Sequence, residues 1–522
     1  MKLLVLFVFS ILSIANGYKV LFLVPFPGTS HWLVLQSFVK ELVNRDHEVT
    51  AIVNYPIMNF SSPNYTEILI SPHFDLSTTF TQEDAHKSAD ESYFEKVRSY
   101  DTYCTKSSEY GLNHTNVQKV IHSQDLKFDL VINADFFHDS WFMFAHKFNA
   151  PFISICPYGY SDFFDRANGL LTPWSHVPHS LLPYGDDMSY TERVHNVILS
   201  AYDWWFRNWV LLPQQNEIAQ RYFGHLAEPG KPLPRIQDLY QNISLILVNA
   251  HRSTSKPRPL MPGIIHYGGA HIKPPKPLPT DLQQYLDTAE HGVILFSLGS
   301  YLQASKLPKE KIDMFLNAFS KLKQRVIWKF EDETYKVPPN VLVKKWLPQT
   351  DLLAHPNIVL FIAHGGMSGT FEGTARGVPM LFIPFFGDQQ RNALKSVASG
   401  NALMLKFSDL TAESLSTALE EMLTNKVYKN RAKEIARLFN DNLVHPMDEA
   451  IFWIEYVMRS KGAKHLKSNA AYMPWFSYLL LDILIVPVIA IAIVYLTLKT
   501  VFREMKSSVN KKGKKQRAKK VK

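Results

Sequence analysis

At 522 residues the chain is long enough for two or three domains and for a large core that needs no disulfide. Cys104 and Cys156 are its two cysteines, so at most one internal disulfide can form, and two buried free thiols fit equally well. The formal charge of +9 is a property of the tail: residues 499–522 carry eleven Lys or Arg against one Glu, which leaves about −1 elsewhere and no case for nucleic-acid binding.

In chain order, residues 1–17, "MKLLVLFVFSILSIANG", place Lys2 before the apolar run Leu3–Leu12 and small residues at Ala15 and Gly17. That pattern predicts a cleaved secretory signal peptide, since the run is too short to span ~30 Å of hydrocarbon. Residues 18–255 follow as a first domain, with strands expected at "KVLFLVPF", "HEVTAIV", "FDLVINADFF" and "APFISIC", and an aromatic, proline-rich, helical insert from Ser161 to Arg235. Residues 256–280 are so rich in Pro and Gly that they read as a linker without regular structure. In residues 281–445 the near-continuous apolar runs "GVILFSLGS", "RVIWKF", "VLVKKWLP", "NIVLFIAHGG" and "VPMLFIPFF" alternate with helical stretches, the pattern of a parallel sheet covered on both faces. The predicted architecture is α/β: two facing Rossmann-like domains.

A C-terminal helix and membrane approach occupy residues 446–474, and residues 475–498 have the length and apolarity of a transmembrane helix, flanked by Trp475 and Tyr478. The basic tail, residues 499–522, marks the cytosolic side and puts the rest of the chain in the lumen. Lys519 and Lys520, fourth and third from the end, resemble a di-lysine endoplasmic-reticulum retrieval signal. Asn59, Asn64, Asn113 and Asn242 each open an Asn-X-Ser/Thr sequon, consistent with that topology.

In open α/β sheets ligands sit outside the carboxyl ends of the strands, so the strand-to-helix turns are where chemistry is expected. In "HGGMSGTFEGTARGVP" a helix opening at Gly366 offers unpaired N–H groups to a phosphate, and His364 can add a hydrogen bond. Ser368 and Glu372 share one face of that helix. A carboxylate there suits a pair of ribose hydroxyls and not a phosphate, so the turn suggests a nucleotide. Asp388, Gln389 and Asn392 in "FFGDQQRN" pair acceptors with donors for a sugar. Trp346 in "KWLPQTDLL" can stack on a base whose edge Gln349 reads, and Ser297, Gly299 and Ser300 form another small-residue turn. Taken singly, Trp346 would be core and Glu372 and Asp388 solvated charges.

Together, "WLPQTDLLAHPNIVLFIAHGGMSGTFEGTARGVPMLFIPFFGDQQRNA" resembles the donor signature of the UDP-glycosyltransferases, and "HPMDEAIFWIEYVMRSKGAKHL" resembles the membrane-bound animal members. The resemblance implies a GT-B fold, with the donor on the second domain and the acceptor on the first. It assigns Trp346 and Gln349 to uracil, His364, Gly366 and the Ser368–Gly369 turn to the diphosphate, Glu372 to the ribose, and Asp388 with Gln389 to the sugar. Ser297 and Gly299 match a second phosphate-contacting turn. Ser368 stands where many members carry Asn, and Gly373 where Ala is usual. The resemblance further implies a general base, His31 in "PFPGTSHW", steadied by Asp135 in "INADFF", with Asp129 and Asp139 flanking the latter.

The expected reaction is an inverting displacement on a UDP-sugar by the hydroxyl of a small lipophilic acceptor. No metal or other cofactor is expected, since the chain has no Asp-X-Asp of the kind that holds manganese in metal-dependent sugar transferases. Phe163, Phe164, Trp174, Trp204, Trp205 and Phe206 give the acceptor half its aromatic character. UDP-glucose is favoured over UDP-glucuronate because the sequence assigns no cation to a sugar carboxylate. A transferase dedicated to one endogenous lipid or sterol, and a non-catalytic UDP-sugar-binding subunit, are the alternatives. Homo- or hetero-oligomers are left open.

Overall fold

The computed structural model describes residues 17–519, so all but the last residue of the segment read as a signal peptide lies outside the described residues, as do Lys520 to Lys522. Residues up to 467 form one unit and residues from 468 a second. Two parallel sheets make up the first unit. One holds β1 (Lys19–Leu23), β2 (Glu48–Val53), β3 (Tyr65–Leu69), β4 (Leu130–Ala134), β5 (Phe152–Cys156), β6 (Ile243–Val248) and β7 (Ile264–His266), in the order β3-β2-β1-β4-β5-β6-β7. The other holds β8 (Val293–Ser297), β9 (Arg325–Lys329), β10 (Val341–Lys344), β11 (Ile358–Ala363), β12 (Met380–Phe382) and β13 (Ala402–Met404), in the order β10-β9-β8-β11-β12-β13.

The apolar runs follow from burial on both faces. In β1, Val20 and Phe22 belong to the core on one side of the sheet, and Leu21 and Leu23 to the core on the other. Ile294 and Phe296 of β8 divide from Val293 and Leu295 in the same way. A strand between two helical layers has no face left for water, so the usual polar alternation is lost. In both sheets the strand order reverses beside the first strand, between β1 and β4 and between β8 and β11, which opens a crevice at the carboxyl edge.

Four strands escape the sequence reading. The segment read as an unstructured linker contains β7, which pairs in parallel with β6 and completes the first sheet. Three residues bracketed by "MPG" and "YGG" give no detectable period. β13 is equally short. β3 is an edge strand whose residues are half-exposed and so lacks an apolar run. β6, "ISLILV", carries a clear strand composition and lies hidden between the irregular insert and the linker.

The helix Pro446–Arg459 returns to the first sheet. Met447, Ala450, Ile451, Ile454, Val457 and Met458, at helical spacing, enter the same core as Val20, Phe22 and Ile132. Cys104 and Cys156 are both buried and are not joined to each other. Phe163 and Phe164 are core residues of the first half, whereas Trp204 and Trp205 are exposed.

In the second unit, residues 475–498, read as the transmembrane helix, divide between two helices. Trp475–Tyr478 is a separate short helix, and the long helix runs from Leu481 to Lys519. The break falls at Leu480, in the left-handed region with φ 58°. Asp482 then lies in the first turn of the long helix, where the dipole favours a carboxylate, and accepts a hydrogen bond from Ser477 Oγ at 2.8 Å. Residues Leu481–Lys514 are long and apolar enough to cross a membrane.

Candidate active site

The carboxyl edges of the two sheets face each other. Gln82 Nε2 donates to the Tyr301 carbonyl at 3.0 Å, and Phe80 packs on Phe386 with ring centroids 5.3 Å apart. Gly159, in the loop after β5, lies against Arg391 and Met367: a methyl group there would stand 2.9 Å from the Arg391 guanidinium.

His31 sits in the first turn of the helix Thr29–Asn44, just past β1, and Asp135 just past the neighbouring β4. The imidazole is held by aromatic walls, with the Phe26 and Phe136 rings each 5.0 Å away. That apolar seat penalises the imidazolium and lowers the His31 pKa to about 4, so the ring is neutral at physiological pH. Among the described residues none hydrogen-bonds to either ring nitrogen.

Asp135 is 2% exposed, and its Oδ2 has no hydrogen-bond partner. Burial, with Asp139 close by, pushes its carboxyl well above the ordinary range, against the pull of Arg207. The flanking aspartates are engaged elsewhere. Asp129 accepts the Lys19 N–H at 2.8 Å at the start of β1, and Asp139 pairs with Arg207 at 2.9 Å. Among the described residues only Asp139 of the three has an ion pair, and no hydrogen bond joins Asp135 to His31 in this structure.

On the second sheet, β8 leads into Ser297 and Gly299, and β11 into His364. Gly299 has φ +84°, and Ser297 Oγ accepts its N–H at 3.3 Å. The His364 ring lies between two glycines: a methyl group on Gly299 would stand 2.6 Å from its Cε1, and one on Gly366 2.4 Å from its Nε2. Burial lowers the His364 pKa to about 4, with Lys329 adding to the effect, so the ring is neutral at physiological pH. Its Nδ1 is buried and unpartnered. The helix Met367–Arg376 starts at Gly366 with no side-chain cap, which leaves the N–H groups of its first turn, including those of Ser368 and Gly369, for a ligand. At Gly373, a methyl group would stand 2.7 Å from Met380 Sδ. Alanine at this position would need Met380 to move.

Glu372 is 8% exposed and not a solvated charge. Burial opposes its ionisation, but His271, Gln349 and Thr350 outweigh it and hold the carboxyl below its ordinary range. Gln349 Nε2 donates to Glu372 at 2.6 Å and Thr350 Oγ1 at 2.8 Å. Gln349, expected at a base edge, is thus turned to the carboxylate. Trp346, by contrast, is 59% exposed, which suits a stacking surface better than a core position.

Asp388 accepts from Asn392 Nδ2 at 2.7 Å, and the Gln389 side-chain carbonyl accepts the Phe385 N–H at 2.9 Å. Burial raises the Asp388 pKa, while Arg391 and Asn392 oppose the shift. Sequence reasoning missed Arg391, Lys395 and His271. The two cations lie one turn apart in "QQRNALK", where they pass for a solvated helix face. His271 stands alone in a Pro/Gly-rich stretch. Burial and the nearby Arg391 lower the Lys395 pKa to about 7.

The comparisons with known proteins agree with this geometry. Residues 19–515 match the family described as "UDP-glucoronosyl and UDP-glucosyl transferase". UDP-glucosyltransferase 2 of Dactylopius coccus is 37% identical over 503 residues, 92% of each chain. UDP-glucuronosyltransferase 2B15 of Rattus norvegicus is 32% identical over 480 residues, 87% of each. Among solved structures, the glycosyltransferase VinC in complex with DTDP aligns with a TM-score of 0.57 at 17% identity, covering 85% of this chain and all of that one. The calicheamicin glycosyltransferase CalG4 aligns at 0.53 and 17%. At that identity these two speak for the fold, which is GT-B. With two Rossmann-like sheets meeting at their carboxyl edges and a family match along nearly its whole length, the chain belongs to the UDP-glucuronosyl and UDP-glucosyl transferases, enzymes that move a sugar from a UDP-sugar to an acceptor.

Proposed function

We propose that the protein transfers a hexose, with inversion and without a metal, from a UDP-sugar to the hydroxyl of a small lipophilic acceptor. His31 is the general base. The observation that carries this reading is a neutral imidazole at the carboxyl edge of β1, to whose nitrogens no described residue hydrogen-bonds, with a buried carboxyl just past the neighbouring β4. An alcohol or phenol is a poor nucleophile until its proton is taken, and a positioned base contributes about 10²–10⁴-fold. As His31 accepts the proton, the new imidazolium favours ionised Asp135, which fixes the ring and balances its charge. The acceptor oxygen attacks the anomeric carbon, and the C–O bond to the diphosphate breaks with its electrons. The departing UDP meets the N–H groups of the helix Met367–Arg376, His364 and the Ser297–Gly299 turn. Glu372 holds the ribose, and Asp388 and Gln389 the sugar.

Trp346 stacks on the uracil. Because base–aromatic stacking is worth about 1–3 kcal/mol per base, Trp346→Ala is expected to raise the donor KM by about five- to a hundredfold with little change in kcat. An unaltered KM would remove the ring from the donor site.

The donor is read as UDP-glucose. A second reading, UDP-glucuronate, draws support from Arg391 and Lys395, whose charges act on Asp388 where the sugar would lie. Membrane attachment through the helix Leu481–Lys519 with the two sheets in the lumen is supported by the basic tail, and the endoplasmic reticulum by Lys519 and Lys520.

The deciding experiment is turnover of a simple phenol by the full-length protein in detergent, with each of the two UDP-sugars and with or without excess EDTA. Glycoside is expected from one donor and to persist with EDTA. Activity lost on chelation and restored by manganese would contradict the metal-free mechanism. UDP binding without product from either donor would point to a non-catalytic UDP-sugar-binding subunit.

A further inference from the structure

Among the histidines that the mechanism leaves unused, His271 lies five residues past β7, on the segment that joins the two sheets. Its side chain is nine-tenths buried, and neither Nδ1 nor Nε2 has a hydrogen-bond partner. Nε2 lies 3.7 Å from Glu372 Oε1, close enough for charges to interact and too far for a hydrogen bond. A buried imidazole with both nitrogens unpaired costs about 1–3 kcal/mol per lost bond, so its retention beside a carboxylate calls for a partner.

The surroundings define that partner. Glu372 Oε2 is taken up by Gln349 Nε2, and Oε1 receives the Thr350 hydroxyl. A carboxylate oxygen accepts more than one hydrogen bond, so Oε1 has room for a second donor. The ligand group must therefore donate to Oε1 and accept from an N–H facing it across 3.7 Å. A cation would not accept from the imidazole, and an anion would be repelled by Glu372. A neutral hydroxyl does both at once, accepting from the imidazole N–H and donating to the carboxylate.

We infer that His271 is a donor-contact residue: its Nε2–H donates to the same ribose hydroxyl whose own proton Glu372 accepts. This rests on Glu372 being the ribose residue. Glu372 stands on the second sheet's helix and His271 on the connecting segment, so the nucleotide is held from both. The ring tautomer follows, with the proton on Nε2.

The test compares UDP with 2′,3′-dideoxy-UDP, which keeps the base and diphosphate, by calorimetry on the full-length protein. Wild type is expected to prefer UDP. His271→Ala should weaken UDP about tenfold and leave the dideoxy nucleotide unchanged, which narrows the preference by the same factor. His271→Phe, which keeps ring bulk and removes both nitrogens, should narrow it equally and decides the matter if the alanine variant does not fold. If these variants weaken both nucleotides alike, or neither, His271 is scaffold and the inference falls. Glu372→Gln separates the underlying reading: should it leave the wild-type preference intact, the ribose is not at Glu372, and both assignments fail together.

Discussion

Replacing His31 with alanine is expected to lower kcat by about 10²–10⁴-fold while UDP binds with wild-type affinity. The separation follows from position. His31 stands past β1 of the first sheet, and every group assigned to the nucleotide except His271 belongs to the second. Its effect should therefore appear in turnover and not in donor affinity. The pH profile tests the same pair from another side. Burial lowers the His31 pKa from 6.5 to about 4 and raises that of Asp135 above 3.8. As pH falls from neutral, Asp135 gains its proton while His31 still keeps its lone pair. The acid limb of kcat/KM should then report Asp135 and lie above the ordinary carboxylate range. Asp135→Asn should lower the rate and remove that limb. A wild-type rate for His31→Ala would require a different base.

Gly365→Ala is expected to raise the donor KM at least a hundredfold. Two costs combine there. The residue has φ +88°, a conformation that costs an L side chain about 1–2 kcal/mol, and the new methyl would stand 2.6 Å from the Gln389 carbonyl oxygen. That oxygen belongs to the backbone of the helix Gln389–Ala398, so the clash cannot be relieved by a side-chain rotation. The turn must move, and with it His364 and the first N–H groups of the helix Met367–Arg376. Gly387 provides the comparison, with φ +64° and open space for 4 Å around any methyl group added there. Gly387→Ala should show the conformational cost alone. Equal donor KM values for the two variants would mean that the Gln389 contact relaxes freely.

The legibility of this fold divides along physical lines. β1, β8 and β11 are readable because both faces are buried and the apolar run is unbroken. β7 and β13 are too short to show a period, and β3 is too exposed. The amphipathic pattern of residues 446–459 announces a packed helix but does not say which sheet receives it. The donor turns are legible because a turn places its chemistry in consecutive residues, as in the stretch from His364 to Glu372. What stays hidden is tertiary. Nothing local to Gln349 shows that it bonds Glu372 across 23 residues, nor that a histidine from the linker lies beside that carboxylate. The exposure of Trp346 likewise depends on what the fold leaves beside it.

The return of the helix Pro446–Arg459 to the first sheet bears on how the chain is made. Synthesis delivers residues in order, and domains ordinarily fold as they emerge. Here the core holding Val20, Phe22 and Ile132 waits for Ile451 and Ile454, which arrive only after the whole second sheet. Until then that face of the first sheet is covered only in part, by the helix Thr29–Asn44. The nascent protein therefore passes through an interval in which its earliest-made half lacks part of its core, and assembly ends by completing the part that was begun first.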